Sequence, residues 1–161
     1  MVRKGPNRTT LSGSSALDAA LRLLAHRDRS EAELAERLGR RGHDDKEIAD
    51  VIERCRQWGY LDDLRFARMR ARSLIDSGRA VGRRLLHDLR QRGVDEQTAA
   101  LVLEEIATET DEDELLEVLR QRRFADFDYA RADERQRRRV INFFLRRGFA
   151  LNRVLAVLKK E

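Results

Sequence analysis

The chain has 161 residues, 41% apolar and 39% charged, which is enough for one domain or a short array of small units but not for a large multidomain enzyme. No run approaches the ~20 apolar residues of a membrane span, and Met1 to Ser15 lacks the apolar core of a secretion signal, so a membrane anchor and export are both excluded from the expectation. Cys55 is the only cysteine, which rules out an internal disulfide and suits the reducing cytoplasm, and the net charge of +5 favours anionic partners.

Residues 1–14 are basic, aperiodic and rich in Gly, Ser and Thr, and they contain Pro6, the only proline. A disordered basic tail is expected there. Helical spacing begins with Ala16–His26. Ser30 with Glu33 marks a second helix start, and Leu34 and Leu38 stripe that helix up to Gly42. Asp44, followed three residues later by Glu47, has the pattern of a capping box. Ile48, Val51, Ile52 and Cys55 then lie on one face of a third helix.

The same arrangement recurs twice. A helix over Leu64–Ile75 precedes Leu85, Leu89 and Gly93, then the cap candidate Asp95, then Ala99, Val102 and Leu103. Acidic Glu109 to Glu114 marks a junction. A helix over Glu114–Arg122 and a loop over Arg123 to Tyr129 precede Val140, Phe144 and Gly148, then Val154, Val157 and Leu158. Aligned on Gly42, Gly93 and Gly148, the positions eight and four before the glycine and six, nine and ten after it are apolar in all three copies. Glycine at that point suits the left-handed residue that closes a helix.

The expectation is an all-α chain of three tandem three-helix repeats, covering 15–60, 61–108 and 109–161 after the tail, and forming an elongated, curved array. Such small units depend on their neighbours for burial.

Charge is unevenly spread. Glu104 to Glu117 contains no basic residue, whereas Arg120 to Glu161 holds thirteen Lys and Arg against five Asp and Glu. Arg135, Arg138, Arg139 and Arg146 fall on one broad helix face opposite Val140 and Phe144, which makes them candidates for partner contact. Asp133 and Glu134 are too few to neutralise the run Arg135, Arg137, Arg138, Arg139, Arg146 and Arg147. Arg40 and Arg41, Arg92, and Arg146 and Arg147 recur before the glycines. They fit two readings, compensation of the helix carbonyl end or a repeated basic contact surface. Arg65, Arg68, Arg72, Arg79, Arg83 and Arg84 form a central set for which simple solvation is expected. His26, His43 and His87 lack metal-site spacing, Cys55 reads as core, and no nucleophile or paired-carboxylate motif is present, so neither cofactor nor catalysis is expected.

The segment Gly59-Tyr60-Leu61-Asp62-Asp63-Leu64-Arg65-Phe66-Ala67, preceded by Trp58, closely resembles the signature of the RecX family of bacterial regulatory proteins. The likeness runs from about Ala16 to Lys160 and includes Phe144-Leu145-Arg146-Arg147-Gly148-Phe149. The signature residues Gly59, Tyr60, Leu61, Asp62, Asp63, Arg65 and Phe66 have structural tasks of their own. Gly59 can end a helix, Tyr60 and Leu61 can dock in a seam between units, an aspartate can cap the next helix, and Phe66 can enter its core. The resemblance implies a cytoplasmic, non-enzymatic, monomeric protein that binds the RecA recombinase filament and limits filament growth, ATP turnover and strand exchange in recombination and repair, with DNA as a further contact. The competing reading is a general DNA-binding helical array, against which stands the lack of a recognition helix with the Asn, Gln and Arg set that reads base edges.

Overall fold

The computed structural model describes residues 15–160, so the basic tail lies outside it. Among the described residues there are nine α-helices and no strand. In chain order they are α1 (Ala16–His26), α2 (Glu31–Gly39), α3 (Asp45–Gln57), α4 (Asp63–Asp76), α5 (Gly82–Gln91), α6 (Glu96–Glu109), α7 (Glu112–Phe124), α8 (Glu134–Leu145) and α9 (Leu151–Leu158).

Each expected hairpin closes in the same way. Gly42, Gly93 and Gly148 have φ of +88°, +75° and +101°, in the left-handed region that a side chain rarely adopts. The residue after each glycine donates its N–H back across the turn to the apolar residue five before it: His43 to Leu38 O at 3.3 Å, Val94 to Leu89 O at 3.1 Å and Phe149 to Phe144 O at 3.4 Å. This bond satisfies a carbonyl that the end of the helix leaves without a partner. The following helix is capped where the sequence proposed. Asp44 Oδ1 accepts the Glu47 N–H at 2.9 Å while Glu47 Oε2 accepts the Asp44 N–H at 3.1 Å, and Asp95 Oδ1 accepts from Thr98 N at 3.0 Å.

The described chain falls into two compact units, one built from α1, Glu33–Leu61 and their links, the other from Asp62 onward together with Ser30–Ala32. The first has a small core of Leu34, Leu38, Ile48, Val51, Cys55 and Leu61 with the alanines of α1. Cys55 is fully buried, and burial pushes its thiol pKa up, as expected for a packing residue. In the second unit, α4 to α9 share one larger core that runs from Phe66 and Ala67 through Leu85, Leu89 and Val102 to Phe144, Phe149 and Val157. Every stripe position is buried except Ile52 and Leu103, which are half-buried.

Inside the second unit the third hairpin turn is seated against the start of α5. Val81 N–H donates to Arg147 O at 2.8 Å, and Arg147 Nε donates to Gly78 O at 3.0 Å. Two expectations change here. Two of the central arginines, Arg68 and Arg72, are not simply solvated, because α4 lies against α6: Arg68 binds Glu105 through two hydrogen bonds of 2.8 and 2.6 Å, and Arg72 reaches Glu109 at 3.3 Å. Arg79, Arg83 and Arg84 are exposed, as expected. α7 also runs two residues further than its apolar spacing indicated, to Phe124. The connection after it is tied down by Asp128 Oδ1, which accepts from Ala130 N at 2.8 Å, and by Arg137 Nε, which donates to Tyr129 O at 2.9 Å.

Candidate partner interface

The basic helix α8 begins with a capping box that the sequence reading overlooked: Gln136 N–H donates to Asp133 Oδ1 at 2.7 Å and Asp133 N–H donates to Gln136 Oε1 at 2.9 Å. With the start of the helix held there, its period sends Val140 and Phe144 into the core and leaves Arg135, Arg138 and Arg139 exposed. Arg138 pairs with Glu134, both side chains roughly three-quarters exposed at 74% and 77%, so water screens the pair and a partner could replace it readily. Arg135, Arg139 and Arg146 have no carboxylate partner among the described residues.

The Arg146 and Arg147 pair divides sharply. Arg146 is exposed, whereas Arg147 turns inward, donating to Gly78 O at 3.0 Å and Phe143 O at 2.9 Å, with its guanidinium 3.4 Å over the Phe143 ring. Burial lowers the Arg147 pKa, and the neighbouring cations Arg123 and Arg146 lower it further. Arg147 is thus occupied as an internal brace. Arg92 is half-buried, lies 3.8 Å from Asp88, and its carbonyl accepts the buried Ser30 hydroxyl. In the first unit Arg40 is exposed and paired with Glu36, and Arg41 is exposed.

Most of the family-signature residues do the structural work assigned to them. Gly59 has φ +73° and ends α3, Leu61 is buried in the first core, and Phe66 is buried in the second. Asp62 caps α4 by accepting Arg65 N at 2.9 Å, while Asp63 accepts Glu31 N at 2.8 Å and has its pKa raised, chiefly by burial. Tyr60 is a correction: it is 52% exposed and not docked in a seam. The left-handed turn at Gly59 directs Tyr60 outward, where it meets Trp58 edge to face at 6.1 Å, and Arg54 lies 5.0 Å from the Trp58 ring.

Sequence reasoning missed Arg123, Phe124 and Phe143. The end of α7 meets the face of α8 in a groove of about 330 Å³ lined by Arg123, Phe124, Arg139, Phe143 and Arg146. Arg123 stands where the sequence predicts the start of a loop and is instead in the last turn of α7, and nothing in the one-dimensional pattern pairs it with Arg139. Among the described residues, no cluster of His, Cys, Asp and Glu could hold a metal, and no helix is long and apolar enough to cross a membrane.

Two family models match, for the first three-helix domain of RecX over residues 16–55 and the second over residues 62–103. A regulatory protein RecX from Syntrophotalea carbinolica is 49% identical over 137 residues, spanning 85% of this chain and 90% of that protein. The chain belongs to the RecX family. A second regulatory protein RecX, from Trichlorobacter lovleyi, is 38% identical over 142 residues, or 88% of this chain and 92% of that protein. The crystal structure of RecX from Lactobacillus salivarius has the same fold, with a TM-score of 0.70 and 17% identity over 89% of this chain and 92% of that one. The all-α tandem repeat read from the sequence is therefore the RecX architecture, and the residues that carried the resemblance are mainly those that cap, turn and pack its helices.

Proposed function

We propose that this RecX-family protein binds the filament of the RecA recombinase and limits its extension, ATP hydrolysis and strand exchange. In this reading it is a monomer in the cytoplasm, requires no cofactor and acts by contact alone. The observation that supports it is the row of outward arginines on α8: Arg135 and Arg139 without a carboxylate partner, Arg138 in a screened pair, and Arg146 at the end of the helix. A filament of protein and DNA is rich in acidic groups and phosphates, and cations not already spent internally supply both attraction and fast encounter. Arg40, Arg41 and Arg92 are secondary contacts in this reading, and Arg147 leaves the contact set because its donors are engaged inside the fold.

The test mixes the protein with RecA, single-stranded DNA and ATP. Slowed ATP hydrolysis is expected, with the triple change Arg135→Glu, Arg138→Glu and Arg139→Glu weakening the effect while leaving helicity intact. Full-strength inhibition by that variant would remove the proposed face, and no inhibition by the unaltered protein would remove the proposed function. General DNA binding is the second reading, favoured by the arginine and phenylalanine groove between α7 and α8.

A further inference from the structure

The geometry points to the groove between α7 and α8 as a binding site for a phosphate ester, with Arg123, Arg139 and Arg146 around the phosphate and the attached sugar or base against Phe124 and Phe143. The inference rests on the reading of α8 as a contact face and assigns that face a ligand.

Three features carry it. First, three arginines, Arg123 of α7, Arg139 of α8 and Arg146 at its C-terminal end, line one groove of about 330 Å³, and no acidic residue lines it with them. Cations gathered in one groove with no carboxylate beside them repel one another, and a bound anion relieves that repulsion. Second, the arginines are held apart from internal pairing. Arg147 beside them donates to Gly78 O and Phe143 O, and Arg123, Arg139 and Arg146 make no ion pair among the described residues. Guanidinium groups in that condition match the oxygens of phosphate in bidentate fashion. Third, the floor is aromatic and ordered. Phe124 and Phe143 meet edge to face at 4.9 Å, and Phe124 also leans on the buried Phe144 at 6.0 Å, so the apolar surface beside the cations is fixed before binding. A bare inorganic anion would leave that floor unused.

Phosphate esters reach such a groove from two sources, a nucleic-acid strand or a free nucleotide. The experiment titrates the full-length protein with a labelled oligothymidylate and, separately, with thymidine monophosphate. The variants are Arg123→Gln with Arg139→Gln and Arg146→Gln, a control of equal net charge with Arg22→Gln, Arg37→Gln and Arg79→Gln, and Phe124→Leu. The groove variant should lose about 100-fold in oligothymidylate affinity, and its salt dependence should flatten by roughly one to two units of slope. The control should stay within about threefold of the unaltered protein. Phe124→Leu should weaken binding about tenfold with the salt slope unchanged. Binding of oligothymidylate alone assigns the ligand to a strand, and binding of both probes extends it to free nucleotides. No binding of either probe, equal losses in groove and control variants, or preferential capture of an oligoglutamate peptide would overturn the inference. Inhibition of RecA is scored separately in the same variants, so failure of the groove and failure of the proposed function give different results.

Discussion

Replacing Gly148 with alanine tests how the third hairpin turn is seated. At φ +101° any side chain is strained, and a Cβ built there would lie 2.2 Å from the Val81 carbonyl oxygen and 2.9 Å from Arg84 Cβ. That oxygen cannot retreat easily, because it accepts from Arg84 N at 3.0 Å and Leu85 N at 3.3 Å in the first turn of α5. Gly42 holds the equivalent place in the first hairpin, has φ +88°, and would meet nothing within 4 Å. Both substitutions carry the left-handed penalty of about 1–2 kcal/mol. Gly148→Ala should carry a further 1–3 kcal/mol or so for overpacking against backbone. Urea unfolding followed by circular dichroism reads both variants, and Trp58, the only tryptophan, adds a fluorescence signal from the first unit for Gly42→Ala. With a denaturant slope of about 2 kcal/mol/M, the steric excess lowers the midpoint for Gly148→Ala by about 1 M beyond the strain effect. A loss for Gly148→Ala no larger than that for Gly42→Ala would refute the seating of this turn on α5.

The adjacent arginines should separate by measurement. Arg147→Ala removes the hydrogen bonds to Gly78 and Phe143 and should destabilise by about 2–3 kcal/mol in thermal or urea unfolding, whereas Arg146→Ala should stay within about 0.5 kcal/mol. Similar losses for the two would contradict the inward placement of Arg147. Asp88 accepts two hydrogen bonds from Arg70, at 2.8 and 2.9 Å, and Arg70 foremost holds its carboxyl below the usual carboxylate value. Its stabilisation is therefore complete above the unfolded value of about 3.9 and drains as pH falls through the lowered folded value. Asp88→Asn should reduce stability at neutral pH by about 1–2 kcal/mol and flatten the dependence of the urea midpoint on pH below about 4, and an unchanged acid limb would count against the pair.

What could be read along the chain was whatever depends on near neighbours. The left-handed turns at Gly42, Gly93 and Gly148, the caps at Asp44 and Asp95, and the stripe from Leu34 to Leu158 are set within a few residues, and the structure holds them as expected. The capping box of Asp133 with Gln136 is equally local, although Asp133 among the arginines reads as a countercharge. A large aromatic beside a leucine reads as a docked side chain, and only the direction of the chain after Gly59 turns Tyr60 out to Trp58.

The sequence by itself determined the nine amphipathic helices of the described residues, most of their turns and the sides they bury, since periodicity and capping act over one or two helical turns. The tertiary structure alone decided which arginines are free. Arg68 meets Glu105 thirty-seven residues away, Arg147 finds Gly78 sixty-nine residues away, and Arg123 joins Arg139 and Arg146 across two helices. A charge's partner depends on where packing brings distant segments together, and that distance in space leaves no mark on the spacing of residues along the chain.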